Sequence, residues 1–412
     1  MQIILQNQSH YREGDFTVLS NSGPNKRLAL NSIEITEHST IQQFTKDEWH
    51  LIEDPDFVFT DFDFLLSLEE SHSVGTSSGW VSKFVAMRTK SQELLAVFIY
   101  YEKYHSYGEY IFDWDWANAY EANVGTYYPK ILSAIPFTPA TGSKLLFNSE
   151  KIQSDDAFKV ISEFLSGQMD KHKISSEHHL YIKSNELQSF RTNSYAIRTS
   201  LQYQWQNNGY KTFAEFLDAL KGKKRKNIQK ERREIAAQVQ LQRFAGDDIQ
   251  LEHIETMWKF YSLTIEQKHA MRYLTKGFYL SLLESLRKNI LICIAYDEAV
   301  AVGASICFFK KNTLYGRHWG GLDSYKHLHF ELCYYQPLEF AIAKNMTKFE
   351  AGAQGIHKWQ RGFLPTLTYS AHKFRNKDFQ KAIERYVDEE AKEYLGQIEH
   401  SEEKSPFKTV HK

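Results

Sequence analysis

The order of predicted helices and strands runs through the chain twice, and this repetition constrains the fold more than any single motif. Each half has the pattern helix, helix, antiparallel strands, helix and strand, although no close sequence repeat links the halves. The main segments lie at 57–68, 80–88, 94–101, 151–170 and 179–183, then at 213–220, 223–239, 254–269, 289–296, 299–309, 313–319, 328–344 and 349–353. This order predicts an α+β fold with a mostly antiparallel sheet in each half.

A chain of 412 residues is long enough for more than one hydrophobic core. We therefore expect two lobes with a peripheral segment at each end. The predicted boundaries are 1–50 for an N-terminal arm, 51–205 and 206–375 for the two lobes, and 376–412 for a C-terminal helix and tail. The start of the chain has no signal-peptide pattern, and no stretch reaches the roughly 20 apolar residues that span a bilayer. We expect a cytoplasmic protein without a transmembrane segment.

Charge and cysteine content exclude several classes of protein. The formal net charge is −1, so no global field attracts nucleic acid or an anionic membrane. The three cysteines lie in apolar stretches without metal-type spacing, which predicts neither a metal site nor a disulfide framework. The chain has no nucleophile elbow, zinc-protease motif, Walker A loop or dinucleotide fingerprint, so hydrolase and NAD-dependent functions are disfavoured.

The segment 349–363 has the densest cluster of chemically useful residues. A short strand leads into small residues, which let a ligand approach the backbone, and a carboxylate, an imidazole and two cations accompany it. Such a set can hold an anion and move a proton. The candidates are Glu350 and His357 for catalysis, and Gln354, Lys358 and Arg361 for substrate binding. The alternative is a tight strand exit with surface charges.

A second candidate lies in the segment 108–116, which the pattern predicts to be a strand. On a strand, Asp113 and Asp115 share one face about 7 Å apart, and Trp114 and Trp116 share the other. Carboxylates beside aromatic rings suit a polar or amine-bearing ligand. The alternative is that both tryptophans belong to the core, while both aspartates are solvated or cap the following helix.

Two further segments contain candidate site residues, one in a loop stiffened by prolines and the other near the end of a strand. Two prolines rigidify the loop 135–142, in which Thr138 is a candidate substrate contact, although the loop can equally be structural. The strand 315–321 ends in glycines before a helix, a natural place for an anion. Its His318 is a catalytic candidate, and the alternative is a structural histidine.

The helix beginning near residue 221 is strongly basic. Eight of the thirteen residues 221–233 are Lys or Arg. Lys223, Lys226, Lys230 and Arg233 form one row at helical spacing, which suits phosphate groups on RNA, a lipid or a cofactor. The alternative is a solvated charged helix.

Long motifs through most of 54–375 resemble a known bacterial family. They include His105-Ser-Tyr-Gly-Glu-Tyr-Ile-Phe-Asp-Trp114, Pro136-Phe-Thr-Pro139, Lys224-Arg-Lys-Asn-Ile228, Gly316-Arg-His-Trp-Gly320, Phe349-Glu-Ala-Gly-Ala-Gln-Gly355 and Ser370-Ala-His372. These segments are similar to the peptidoglycan biosynthesis or recognition proteins of the FemAB-like branch of the GNAT superfamily. The resemblance implies two GNAT-like lobes in tandem.

The same resemblance implies a transfer reaction. Fem-type proteins transfer an amino acid from aminoacyl-tRNA to a cell-wall precursor, and ordinary GNAT enzymes transfer an acetyl group from acetyl-CoA to an amine. Residues 320–330, which correspond to the GNAT pyrophosphate loop, lack its spaced glycines, and Asp323 adds a repelling charge. This departure weighs against acetyl-CoA, and aminoacyl-tRNA is the alternative donor.

Two functions follow as hypotheses. The first is an N-acyl or aminoacyl transferase acting on an amine, with acyl-CoA or aminoacyl-tRNA as donor and a small molecule or peptidoglycan precursor as acceptor. The second is a non-catalytic protein that recognises a peptidoglycan fragment or a polar lipid head group. The sequence leaves the donor, the acceptor and the oligomeric state open.

Overall fold

The strands form one continuous sheet in the computed structural model, which describes residues 33–352, 355–403 and 405–408. The strands are β1 Ile33–His38, β2 Trp80–Thr89, β3 Leu94–Lys103, β4 Lys130–Ser133, β5 Leu145–Phe147, β6 Ser176–Ile182, β7 Ala196–Gln206, β8 Gln240–Ala245, β9 Ile290–Asp297, β10 Val300–Lys310, β11 Thr313–Gly321, β12 Lys348–Glu350 and β13 Leu364–Phe374. Most of the predicted N-terminal arm lies outside the described residues.

Helices flank this sheet. They are α1 Lys46–His50, α2 Phe62–Glu70, α3 Trp114–Asn123, α4 Ser154–His172, α5 Leu187–Thr192, α6 Phe213–Ala219, α7 Gly222–Ala236, α8 Leu251–Gln267, α9 Lys276–Ser285, α10 Leu328–Phe330, α11 Gln336–Ala343 and α12 Lys377–Glu403. A π-helical turn, Glu331–Tyr335, joins α10 to α11. Most of the predicted elements are present, with ends shifted by a few residues.

The strand order is β1-β2-β3-β4-β6-β13-β7-β12-β11-β10-β9-β8, with β5 paired to β3. Two neighbouring pairs, β4–β6 and β11–β12, are parallel, and the other pairs are antiparallel. The predicted α+β class with a mostly antiparallel sheet is confirmed. Each half contains one parallel pair whose strands are joined by a crossover helix, α4 in the first half and α10–α11 in the second.

The last strand lies in the middle of the sheet. β13 pairs with β6 along Tyr369–Phe374 and with β7 along Leu364–His372. The predicted boundary between residues 205 and 206 falls at the end of β7, and the division into lobes stays a prediction.

Aromatic side chains form a core that both halves share. The ring of Phe59 lies 5.5 Å from that of Phe308, and Phe64 meets Phe278 at 5.9 Å, edge to face. All four side chains are at most 2% exposed. Burial of rings of this size contributes on the order of 2–3 kcal/mol each, so the two halves are held together by packing as well as by the sheet.

The predicted strand at 108–116 is wrong. Gly108 and Tyr110 have left-handed backbone angles, with φ of +83° and +64°, and α3 begins at Trp114. The aromatic run that favours a strand is therefore interrupted by a turn, and a helix replaces its end. Asp113 and Asp115 consequently do not share a strand face.

Gly320 marks the closest approach of α8 to the sheet. A Cβ atom at this position would overlap the Phe260 carbonyl oxygen and lie 2.6 Å from Thr264 Oγ1. A Cβ on Gly167, inside α4, would have no atom within 4 Å.

Gly320→Ala is therefore expected to lower the free energy of unfolding by about 2–3 kcal/mol, because α8 and β11 must separate. The matched variant Gly167→Ala is expected to raise it by about 0.5–1 kcal/mol through helix propensity. Denaturant titration measures both. Equal stability of Gly320→Ala and the parent protein would contradict the close packing described above.

Candidate active site

Two predicted site residues line one small cavity between the halves. Thr138 comes from the first half and His318 from the second, and Arg317 joins them. The cavity has a volume of about 220 Å³. Its remaining walls are Phe59, Phe64, Leu68, Pro136, Leu274, Phe278 and Phe308. A few convergent polar groups in an apolar cavity are typical of a binding site.

Arg317 lies at a β-bulge. Its neighbours Gly316 and His318 pair with Cys307 and Ile306, which are adjacent, so Arg317 is the additional residue on β11. Its guanidinium donates to the Phe137 carbonyl oxygen. Burial lowers its pKa, and no carboxylate of the described residues lies within ion-pair distance of it. A half-buried cation without a carboxylate suits an anionic ligand or a developing oxyanion.

Bulky residues in the left-handed backbone region surround this arginine. Tyr110, Phe137 and Tyr181 have φ values of +64°, +56° and +53°. Such conformations are costly for large side chains and persist only where the surroundings hold them. Lys144 holds one of them, because its ammonium donates to the Leu180 and Tyr181 carbonyls at 2.5 and 3.1 Å.

His318 presents a neutral imidazole to the cavity. Its Nδ1 lies 3.0 Å from the Tyr279 hydroxyl, and its ring packs on Tyr261 at 4.9 Å between centroids. Burial, together with the charge of Arg317, holds the pKa of His318 well below its usual value. An imidazole that is neutral at pH 7 can accept a proton from a substrate.

Glu350, another predicted catalytic residue, holds the loop 135–142 against the second half. It ends β12 and is 2% exposed. Its Oε2 accepts the Thr141 N–H at 3.2 Å, and its Oε1 accepts from Lys348 Nζ at 2.7 Å. Both oxygens therefore already have partners, which favours a role in holding the loop.

Arg361 is buried and donates hydrogen bonds to three groups of the protein. Its guanidinium donates to Glu231 Oε1 at 2.7 Å, to the Tyr335 hydroxyl at 2.8 Å and to the His357 carbonyl at 2.9 Å. It also lies 3.4 Å from the centroid of the Phe330 ring. These three bonds use three of the five N–H groups of the guanidinium, and substrate binding by Arg361 stays a prediction. Glu231 was not among the predicted site residues.

His357 and Lys358 precede this arginine in the same short helical segment, Ile356–Arg361. Lys358 is 3% exposed and donates to the Gly352 carbonyl at 2.8 Å, and burial lowers its pKa to about 8. His357 Nε2 lies 2.9 Å from the Tyr334 hydroxyl, and burial, then Arg361, lowers its pKa. Gln354 lies outside the described residues. The substrate and catalytic roles of these residues stay predictions.

The four residues 113–116 do not lie on one face, because Asp113 is the N-cap of α3 and the other three form its first turn. Asp113 and Trp116 are buried, whereas Trp114 and Asp115 are exposed. Asp113 accepts from Lys130 Nζ at 2.5 Å and from the Tyr127 hydroxyl at 2.6 Å. Burial alone would raise the pKa of Asp113, but Lys130 holds it well below its usual value.

Lys130 completes this network by donating to Glu109 at 2.9 Å. The expected strand face with both aspartates is wrong, because Asp113 is buried at the start of α3 and Asp115 is exposed in its first turn. Substrate binding by residues 113–116 stays a prediction. Lys130, on β4, was not among the predicted site residues, because its contact with Asp113 depends on the folded arrangement.

The basic row on α7 faces outward. Lys223, Lys226, Lys230 and Arg233 are all exposed. The inward face carries Arg232, which forms ion pairs with Glu331 at 3.0 Å and Glu339 at 2.5 Å. Phosphate binding by the outer row stays a prediction.

The described residues contain no group of three or more His, Cys, Asp or Glu side chains arranged to hold a metal ion. Within the same residues, no helix is long and apolar enough to cross a membrane.

Comparison with known families identifies the chain. The sequence profile of the peptidoglycan biosynthesis/recognition family, FemAB-like, matches residues 40–409. The chain belongs to this family. No curated protein sequence matches it significantly.

Solved structures are similar to this FemAB-like protein in fold. FemX is 10% identical, with 85% of this chain and 100% of FemX covered and a TM-score of 0.51. The C-terminal domain of a protein from Agrobacterium fabrum named as a lysylphosphatidylglycerol synthetase is 7% identical, with 82% and 94% covered and a TM-score of 0.50. The predicted tandem GNAT-like architecture is confirmed.

In this FemAB-like protein, Glu231→Gln is expected to lower the free energy of unfolding by about 3 kcal/mol, because the buried Arg361 loses its carboxylate. The matched variant on the same helix, Lys226→Gln, lies in solvent and is expected to change it by less than about 0.5 kcal/mol. Chemical denaturation compares the two. Similar values for both variants would contradict the assignment of Glu231 to a buried ion pair.

Proposed function

We propose that this FemAB-like protein is an N-acyl or aminoacyl transferase whose acceptor amine reacts in the cavity between the halves. The observation that carries this proposal is the pairing of a neutral imidazole, His318, with an arginine that lacks a carboxylate partner, Arg317, in one cavity. Family membership supports a role in cell-wall or lipid synthesis.

The chemistry requires a base and a stabiliser of negative charge. In the proposed step, an amine attacks the acyl carbonyl carbon, a C–N bond forms, and the carbonyl oxygen takes the negative charge. His318 accepts the proton that the amine loses, and Arg317 stabilises the oxyanion. The oxyanion then re-forms the carbonyl as the bond to the donor oxygen or sulfur breaks, and the proton passes to that leaving group.

The cavity walls suit this reaction. Seven of the ten lining residues are apolar or aromatic, so water is largely excluded and charges interact more strongly. The cavity is small, with about 220 Å³ of empty space including its open mouth, and has no room for a whole donor. The carrier part of the donor would therefore lie outside.

The donor is either acyl-CoA or aminoacyl-tRNA. The exposed cations of α7 offer a phosphate-binding row for either carrier. Binding of tRNA through this row would weaken steeply with salt, whereas a compact CoA group would show a smaller dependence.

Recognition without chemistry is the second candidate. The exposed Trp114 stacks on Phe112 with centroids 4.3 Å apart, and both side chains are at least 39% exposed. Such a surface could hold a peptidoglycan fragment or polar lipid head. Saturable binding of a muropeptide with no modified product would support this function over transfer.

His318→Gln is expected to lower kcat by a factor of about 10²–10⁴, because the amine loses its proton acceptor. Product formation from each donor with a muropeptide amine, followed by mass spectrometry, measures the effect. His50→Gln, a surface substitution on α1, is the matched control and should leave kcat unchanged.

The pH profile tests the same assignment. Because the folded pKa of His318 lies well below about 6.5, its usual value, the imidazole stays unprotonated as the pH falls through that value. The decrease of kcat/KM on the acid side, which reports the ionisation of the free enzyme, should therefore occur well below pH 6.5. Loss of turnover in Glu350→Gln but not in His318→Gln would transfer the role of base to Glu350.

A further inference from the structure

A second cavity lies wholly within the first half, at the carboxyl ends of the parallel strands β4 and β6. Their ladder ends at the pair Ser133 and His179, and α4, the crossover helix, begins beside it at Ser154. Ligands commonly bind at the carboxyl ends of such strands. The cavity has about 370 Å³ of empty space, part of which is open to solvent. Its lining residues are Phe98, Ser133, Ser143, Lys144, Leu145, Ser154, Phe158, His179, Ile182, Glu186, Ser189 and Phe190.

Three of the four serines that line this cavity donate their hydroxyl protons within the protein. Ser133 donates to the Ile99 carbonyl at 2.8 Å and Ser143 to the Leu145 carbonyl at 2.9 Å. Ser189 donates to Asp155. These hydroxyls retain the capacity to accept a hydrogen bond but have no proton left to offer a ligand.

Lys144 is also unable to donate to a ligand. An ammonium has three protons, and Lys144 Nζ donates to the carbonyls of Gly142, Leu180 and Tyr181 at 2.7, 2.5 and 3.1 Å. The side chain is 4% exposed. It therefore supports the wall of the cavity and leaves no donor for an anion.

His179 adds an acceptor to the lining. Its Nε2 lies 2.6 Å from Glu177 Oε1, which also accepts from the Tyr195 hydroxyl at 2.6 Å. A carboxylate at Nε2 fixes the ring proton there and leaves Nδ1 as the acceptor. Both His179 and Glu177 are at most 1% exposed, so this arrangement is built into the interior.

The charged groups around the cavity are mostly acidic, and the cation of the lining, Lys144, donates its three protons to backbone carbonyls. The half-buried Glu186 is the acidic residue of the lining, and Asp155 and Asp156 occupy the first turn of α4. These two carboxylates disfavour an anion at the helix N-terminus. The nearby Lys183 pairs with Asp54 at 2.5 Å. Aromatic rings form much of the remaining wall, and their faces attract cations.

We propose that this cavity is a binding site for a primary ammonium group. The inventory of hydrogen bonds carries the proposal, since the lining supplies acceptors, a carboxylate and aromatic faces, whereas Lys144 and three of the four serines donate to other groups of the protein. The site is separate from the cavity that contains His318, and it does not depend on the proposed transferase function. The ligand class is a small organic amine in its protonated form.

The experiment is a ligand-observed NMR titration of the full chain with n-butylammonium, and with 1-butanol as its uncharged counterpart. Saturable binding of the ammonium, about tenfold tighter than that of the alcohol, is expected from a charge-assisted hydrogen bond. Absence of saturable ammonium binding, or equal affinity for both probes, overturns the proposal.

Variants locate the binding. The Glu186 carboxylate accepts the Lys183 N–H at 2.9 Å. Glu186→Gln keeps an acceptor for this N–H but removes the charge, and it should weaken ammonium binding by about tenfold. Ser154→Phe, an exposed position at the mouth, should block binding without disturbing the core. Circular dichroism checks that both variants remain folded.

Two controls separate this site from the other cavity. Glu163→Gln removes an exposed charge from the same helix, α4, and should leave ammonium binding unchanged. His318→Gln should also leave it unchanged. Weakening by His318→Gln but not by Ser154→Phe would place the amine in the cavity between the halves and overturn the proposal.

Discussion

The candidate active site depends on how the loop 135–142 is held against the second half. Arg317 donates to the Phe137 carbonyl, the Thr141 N–H donates to Glu350, and Gln202 donates to the Pro139 carbonyl at 3.3 Å. These bonds join the loop to three different strands of the sheet. They set the position of Thr138 relative to His318, so the cavity exists only while the halves remain in register. The aromatic core below the loop supports the same arrangement.

Local patterns in the sequence were sufficient for the parts of the fold that have regular periodicity. The prediction located β9, β10, β11 and the basic helix α7 within a few residues of their observed bounds. It also found that the order of helices and strands repeats in the two halves. Thr138 and His318 were identified from their local motifs. The error at 108–116 arose because a run of aromatic residues favours a strand, whereas a left-handed turn and the burial of Asp113 decide the outcome.

Partners that lie far apart in the chain could not be predicted. Glu231 meets Arg361, and Asp113 meets Lys130, through contacts that depend on the completed sheet. The sequence pattern showed the row of cations on the exposed side of α7. No local pattern indicated that Glu231, on the same helix, pairs with Arg361. Buried ions in this protein are satisfied in different ways, by carboxylates at Lys130 and by backbone carbonyls at Lys144. Arg317 has a backbone carbonyl as a partner but no carboxylate among the described residues, and this difference is evident only in the folded protein.

The central place of β13 has a consequence for synthesis on the ribosome. This strand is synthesised more than 150 residues after β6 and β7, yet it lies between them in the sheet. Until residues 364–374 leave the exit tunnel, the facing edges of those two strands lack their shared neighbour. A nascent chain with two unpaired edges is open to wrong pairing and aggregation. Truncated or stalled products of this protein would therefore be natural clients for chaperones.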